Sequence, residues 1–338
     1  MTMEHIAAMA TASSARPKGR IGDYLALARF DHMTKHVFIV PGVIIALVLL
    51  RPPLDHFIAH LVPGFLSAIF IASANYIINE WLDREFDAYH PLKSKRTAVQ
   101  AQLNPLLVYG QYALFGGAGL LLAAMIGGLF LPIAFAFLLS GIIYNVRPMR
   151  TKERAFVDVL SESINNPIRL TLGWAMIDPA TFPPSSLLLA YWMGGAFLMA
   201  CKRLSEYRDV AAEGNLDMLH RYRSSFRYYT AETLHVSCLL YANLAAFFVA
   251  VFLLKYRIEY ILAFPFIALL FALYLWLSLR RASIAQRPER LFRSRRLVTA
   301  VVALTLTLVL TSVLDIPGLR MLAQPSYVRL SALPGDGQ

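Results

Sequence analysis

Hydrophobic positions in this chain are not periodic on one face but continuous, in blocks separated by short polar stretches. Nine apolar segments can be marked, at about 36–50, 56–82, 104–124, 126–146, 155–177, 185–204, 232–254, 258–279 and 297–314. Most approach the ~20 residues that a helix needs to cross a bilayer. The third and fourth are separated only by Gly127-Gly128, which predicts a tight turn. The expected fold is therefore all-α, a polytopic bundle of nine transmembrane helices. Residues 1–35 read as a polar tail followed by a short amphipathic helix at the interface (22–36), residues 36–314 as the transmembrane catalytic domain, and 315–338 as a C-terminal tail. The run Ile6 to Ala12 is too short and too weakly apolar for a secretory signal.

Charge gives this layout a direction. With the N-terminus placed in the cytoplasm, 26 of the 32 Lys and Arg fall on the cytoplasmic side and five on the other, with Arg169 inside the fifth segment. Such asymmetry is the topology signal of a membrane protein, and it accounts for the net charge of +11 without nucleic acid. The expected location is the inner (cytoplasmic) membrane. Composition agrees: 57% of residues are hydrophobic and 16% charged, with mean hydropathy +0.53, too little charge for a soluble domain. Two cysteines, Cys201 and Cys238, exclude a disulfide framework.

The second segment carries the strongest chemical signal. Asn75, Asn79, Asp83 and Asp87 recur every four residues, so on a helix they drift only about 40° per step and form one polar stripe. Two carboxylates at a helix C-terminus oppose its dipole. A divalent cation would offset them, and Asp and Asn supply the hard oxygens that Mg²⁺ takes; plain solvation at a membrane boundary is the competing account. The loop that follows is basic, with Lys93, Lys95 and Arg96.

A second polar cluster, Lys202-Arg203-Leu204-Ser205-Glu206, ends the sixth segment on the same side. A basic cluster facing an acidic one suits a phosphate-bearing substrate, since Lys and Arg bind phosphate oxygens directly; topological anchoring is the alternative for these side chains. Tyr144-Asn145-Val146-Arg147 ends the fourth segment on that side, where Tyr144 either lines a pocket or anchors the interface. Three readings stay open for Arg169: pairing with Glu162, binding substrate, or snorkelling outward. His56 and His60 share a face on the opposite side, with no carboxylate beside them to complete a metal site.

Asn79-x-x-x-Asp83-x-x-x-Asp87 resembles the first aspartate-rich motif of the UbiA superfamily of intramembrane prenyltransferases. The resemblance extends over most of the chain and implies a nine-helix bundle that binds a diphosphate through Mg²⁺ at the acidic motifs and holds a polyprenyl chain in an apolar cavity. Within that superfamily the chain is most similar to the polyprenyl-phosphate (decaprenyl-phosphate) phosphoribosyltransferases. The residues that carry this are Met33-Thr34-Lys35-His36, His90-Pro91 followed by Lys93, Lys95 and Arg96, Lys202-Arg203-x-x-Glu206, and Arg223-Ser224 leading to Tyr229-Thr230. Glu80 stands where an Asp is usual, and the fifth segment, with Asp158, Glu162, Asn165, Asn166 and Arg169, is unusually polar.

The implied reaction moves 5-phosphoribose from phosphoribosyl diphosphate to a polyprenyl phosphate, releasing pyrophosphate. The resemblance assigns Asp83 and Asp87 to Mg²⁺ and Asn79, Asp83 and Asp87 to catalysis. Lys35, Asn75, Lys93, Lys95, Arg96, Tyr144, Arg147, Arg169, Lys202, Arg203 and Glu206 are assigned to the substrates. Two other classes stay in play: a prenyltransferase acting on an aromatic or other acceptor, and a lipid transporter. Transporters place polar groups on broken helices near the bilayer midplane, which Asn165-Asn166-Pro167 alone imitates here.

Overall fold

The fold comes from a computed structural model that describes residues 17–90, 93–280 and 294–323, without the side chains of 32–35 and 320. Among the described residues there is no strand, only helices and one isolated bridge between Lys18 and Gln102. Apart from a single α-helical turn (Thr97–Gln100) and short 3-10 stretches, the helices in chain order are α1 (Ile21–Leu27), α2 (Val40–Leu50), α3 (Leu54–Asp87), α4 (Pro105–Ile126), α5 (Phe130–Asn145), α6 (Val157–Ser163), α7 (Asn165–Ile177), α8 (Ser185–Ala212), α9 (Leu216–Tyr222), α10 (Ala231–Tyr256), α11 (Phe264–Ser278), α12 (Arg295–Val313) and α13 (Pro317–Ala323).

Six of the described helices are long and apolar enough to cross a membrane, with shorter apolar helices at His36–Leu50 and Phe130–Asn145. The expected fifth segment is not one helix. It is broken between α6 and α7 around Ile164, where Asn165-Asn166-Pro167 opens the second piece. Proline at the third position of a helix sacrifices no bond within it, because the first N–H groups have no intrahelical partner.

The bundle is apolar outside as well as inside. Ile44, Ile58, Val62, Leu114, Leu121, Phe135, Val236, Phe247 and Val302 are all exposed, as expected of helices whose outer solvent is lipid. The interior is organised by α7, in which every residue from Arg169 to Ile177 is buried. Its closest neighbour is α2, and two glycines make that approach possible. A Cβ on Gly42 would stand 2.0 Å from the Leu170 carbonyl oxygen, and one on Gly173 would stand 2.2 Å from that of Ile39. Where lipid is as apolar as leucine, such close backbone contact supplies the association.

Local chemistry sets the ends. Asn104 caps α4 by accepting from Leu106 N at 2.9 Å, with Pro105 at the first helical position. The turn between α4 and α5 has φ of +74° at Gly127 and +48° at Gly128, conformations that glycine adopts without strain. The amphipathic start of the chain does more than lie at an interface. Leu27 and Ala28 of α1 pack against Ile77, Trp81, Ala98 and Leu103, and Tyr24 Oη accepts from Asn104 N at 2.8 Å. Cys201 and Cys238 are buried, free thiols with sulfurs 3.7 Å apart.

Candidate active site

The last two turns of α3, the loop after α5 and the segment around α9 meet at the end of the bundle that carries most of the Lys and Arg. Asn145, at the end of α5, ties them together. Its Oδ1 accepts from Asn79 Nδ2 at 2.5 Å and from Lys152 Nζ at 2.8 Å, while its carbonyl accepts from Arg150 at 3.0 Å. Arg150 Nη2 lies 3.0 Å from Asp83 Oδ1, and Lys152 donates to the same oxygen. One turn further, Arg96 donates to Asp87 Oδ2 at 2.5 Å and Lys93 Nζ stands 3.9 Å from Oδ1. The stripe predicted on α3 thus forms, and each of its two carboxylates holds two cations.

Asp83, Asp87, Lys93, Arg150, Lys152 and Arg223 line one pocket of about 40 Å³, room for little more than a water or two. Beside it, sharing Arg150, Glu153 and Ser224, opens a cavity of about 750 Å³ lined also by Arg147, Arg154, Arg227 and Tyr228. Burial pushes the Lys93 ammonium down to about 8, against the pull of Asp87 and Glu206. Burial does the same to Lys152, also to about 8, against Asp83. His90, edge-on to Tyr222 at 4.5 Å, is pushed down to about 4 by burial and by Lys93, so its ring is neutral at pH 7.

A second ionic cluster lies next to the pocket and is closed. Arg203, 1% exposed, lies 3.1 Å from Asp158, 2.7 Å from Glu162 and 3.4 Å from Glu206. Arg223 adds contacts of 3.2 Å to Asp158 and 3.8 Å to Glu162. Tyr229 donates to Asp158 at 2.5 Å, and Tyr144 donates to Glu162 at 2.8 Å while accepting from Arg223 at 2.8 Å. The polarity of the fifth segment is thereby explained: Asp158 and Glu162 on α6 are the counter-charges of Arg203 on α8.

The residues match a known family. The pattern of the UbiA prenyltransferase family covers residues 39–296. The chain belongs to that family. It is accordingly an integral membrane protein and a transferase. Solved UbiA homologs share the fold. A UbiA homolog from Archaeoglobus fulgidus bound to GPP and Mg²⁺ is 18% identical, with TM-score 0.63 over 86% of this chain and 100% of its own; the same homolog bound to DMAPP and Mg²⁺ gives the same values. Digeranylgeranylglyceryl phosphate synthase is 16% identical, with TM-score 0.57 over 86% of this chain and 94% of its own. No curated protein matches the chain in sequence.

Against this UbiA framework the expected site residues sort into four groups. Asn79, Asp83, Asp87, Lys93 and Arg96 converge as expected. Tyr144, Lys202 and Glu206 border the second cluster: Glu206 pairs with Arg203, and Lys202 acts electrostatically on Glu162, Glu206 and His90. Arg147 is exposed on the larger cavity, and Lys95 is exposed without lining the small pocket. Arg203 is buried among three carboxylates, one at each of its three nitrogens. Asn75 and Arg169 lie deeper. Asn75 donates to the Phe137 carbonyl at 2.8 Å. Arg169 neither pairs with Glu162, which Arg203 occupies, nor snorkels, since it is 8% exposed. The side chain of Lys35, and Pro91 of the His90-Pro91 pair, lie outside the described residues. Glu80 turns from the pocket and accepts from Ala98 N at 3.3 Å.

Sequence reasoning missed Arg150, Lys152 and Asn145. Their signal was a pair of cations directly after the polar end of an apolar segment, absorbed into the count of topology charges. It also missed Tyr222, whose ring Lys93 approaches at 5.4 Å.

Proposed function

We propose that this protein transfers the 5-phosphoribosyl group from 5-phosphoribosyl 1-diphosphate to a polyprenyl phosphate, releasing pyrophosphate, in a Mg²⁺-dependent reaction. The observation that carries this reading is the excess of cation over carboxylate. Lys93, Arg96, Arg150 and Lys152 pair with Asp83 and Asp87, Arg223 lines the same pocket, where Glu153 is the remaining carboxylate, and the place of a second aspartate pair on α8 is taken by Lys202-Arg203. A donor with three phosphate groups needs more positive charge than a prenyl diphosphate does. The neighbouring cavity, at about 750 Å³, lies in the range of small-ligand sites, and Arg147, Arg154 and Arg227 on its wall suit the donor's 5-phosphate.

The donor set fits Mg²⁺. Among the described residues no three His, Cys, Asp or Glu side chains are grouped to hold an ion unaided. Asp83 and Asp87 share one pocket, and Mg²⁺ commonly binds one or two carboxylates together with substrate phosphates. Asp83 and Asp87 would hold it, with Asn79 fixing the Asp83 carboxylate at 3.4 Å. When bound, the ion neutralises charge on the diphosphate and so improves the leaving group.

The chain's own residues do the rest. The ammoniums of Lys93 and Lys152 and the guanidiniums of Arg96, Arg150 and Arg223 exchange carboxylate oxygens for phosphate oxygens as the donor enters, and they stabilise the charge left on pyrophosphate. The buried pocket excludes bulk water from the reacting sugar carbon. No general base is needed, because a lipid phosphate is already ionised. We place the basic end at the cytoplasm, where a water-soluble donor is available.

A second reading has a specific observation behind it: the UbiA homolog is bound to GPP and DMAPP, with Mg²⁺, which favours prenyl transfer to another acceptor. A radiolabel transfer assay in detergent with Mg²⁺ separates the two. Labelled phosphoribosyl diphosphate is offered with polyprenyl phosphate to wild type and Asp83→Ala. Label in the organic phase, lost in the variant, supports phosphoribosyl transfer. Turnover of prenyl diphosphate in its place overturns it.

A further inference from the structure

Arg169 is a feature of the bundle's interior that neither the pocket nor the second cluster absorbs. It sits in the buried run of α7 and is 8% exposed. Among the described residues no carboxylate pairs with it; the titratable groups acting on it are the phenols of Tyr76 and Tyr191. Its Nη1 reaches the Asn165 carbonyl only at 3.5 Å, its guanidinium lies 4.9 Å from the centre of the Phe137 ring, and its Nε has no partner. Phe137 belongs to an apolar cluster with Ile39, Ile168 and Leu172. A buried cation that no carboxylate neutralises, and whose Nε has no partner, is costly, and inside a membrane such a residue marks a ligand or ion path. The missing component is an anion.

The depth of the site fits one occupant. Asn75 lies eight residues before Asp83 on α3, about 12 Å along the helix axis. Asn75 binds the Phe137 carbonyl, so Arg169, against the Phe137 ring, is at nearly the same level. The bond toward Asn165, one turn back, aims the guanidinium at the polar end. That distance of about 12 Å along the axis matches the length of a sugar carbon under its diphosphate, then an attacking oxygen about 3 Å away, then a phosphate about 2.8 Å from a guanidinium. A molecule carrying that phosphate has its tail among apolar side chains.

We propose that Arg169 binds the phosphate of the acceptor, a monophosphate on an isoprenoid chain, and so selects a phosphorylated lipid over its alcohol. This rests on the phosphoribosyl-transfer reading and names the residue that holds that reaction's second substrate, in place of Arg203. It also separates the two readings, because a site built for a bare prenyl chain gains nothing from a guanidinium in its wall.

The test is equilibrium binding to the full-length protein in detergent, without sugar donor. The ligands are a polyprenyl monophosphate, the polyprenol of equal length, and phosphatidic acid as a monophosphate on an ordinary lipid. Wild type is expected to prefer the monophosphate over the polyprenol by tenfold or more. Arg169→Leu should reduce that ratio to within twofold while polyprenol binding is kept. Arg169→Lys, which keeps charge but loses the planar fork, should fall between.

An unchanged ratio in Arg169→Leu overturns the proposal. If that variant does not fold, a ratio in Arg169→Lys within twofold of wild type overturns it. Phosphatidic acid binding as tightly as the isoprenoid monophosphate overturns the assignment of the occupant. Arg169-dependent preference without any phosphoribosyl transfer would sink the reaction and leave this inference standing; transfer with the ratio intact in the variant would do the reverse.

Discussion

Arg203→Met removes one cation from between three carboxylates. Arg203 is 1% exposed and Asp158 fully buried, so neither water nor salt replaces the lost charge. Breaking a buried ion pair by deleting one partner costs about 3–5 kcal/mol. Arg223 remains 3.2 Å from Asp158 and 3.8 Å from Glu162, which points to the lower figure. With an unfolding entropy of about 2.1 cal/mol/K per residue, a loss of about 3 kcal/mol lowers the midpoint by about 4 °C for a chain of this length. The assay is thermal unfolding of detergent-solubilised protein at one fixed heating rate, because irreversible unfolding makes the midpoint depend on that rate. Arg208→Ala is the control, since Arg208 is exposed and only donates to the Leu279 carbonyl at 2.6 Å. Adding Asp158→Asn to Arg203→Met should recover part of the loss. A midpoint within 1 °C of wild type for Arg203→Met would refute the view that this cluster holds α6 to α8.

Further outcomes follow from the same geometry. Because burial holds Lys93 and Lys152 at about 8, both discharge as pH rises through that value, so kcat/KM should fall above about pH 8 in a pH–rate profile. The same lysines are protonated to higher pH when unfolded, so between about 8 and 10.5 the unfolded state binds more protons. Their contribution to stability therefore rises over that window, and the drop in activity should occur without a drop in melting midpoint traceable to them. Lys152→Met should raise KM for the diphosphate donor roughly tenfold, about 1.4 kcal/mol, measured by initial rates, while Lys95→Met, outside the pocket, should change it less than twofold. Gly173→Val forces a side chain onto the Ile39 carbonyl, 2.2 Å from the new Cβ, and should abolish the monodisperse peak in size-exclusion chromatography; a normal peak would show that α2 and α7 separate easily.

What was legible in the sequence is what depends on local pattern. Continuous apolar blocks gave the helices, the Gly127-Gly128 pair gave its turn, and four-residue spacing brought Asn79, Asp83 and Asp87 onto one face. The partners of those carboxylates were less legible, because a lysine or arginine near a membrane boundary is explained equally well by topology. Lys93 and Arg96 lie close enough in sequence to Asp87 to be guessed, whereas Arg150 and Lys152 reach Asp83 from 67 and 69 residues away. The surroundings of Arg203 were hard to read for a related reason. Its motif looked like a phosphate receiver, and only the fold reveals that Asp158 and Glu162, 45 and 41 residues earlier, have claimed it. The break at Ile164 had its signal in Asn165-Asn166-Pro167, which resembles the broken helix of a transporter, although the segment was counted as one span.

The docking of α1 has a bearing on how the chain is made. Leu27 and Ala28 pack against Ile77, Trp81, Ala98, Leu103 and Val108, none of which exists when α1 leaves the ribosome. At synthesis rates of about 5–20 residues per second, α1 waits roughly 4–16 s for Val108. Its closure is therefore a late event of biogenesis, possible only once α3 has been inserted and α4 has begun. The stretch it closes on, around Ala98, directly follows Arg96, the partner of Asp87. Helix α1 thus puts in place the loop on which the acidic stripe depends, and a nascent chain stalled before Val108 would present the carboxylates with that loop still unanchored.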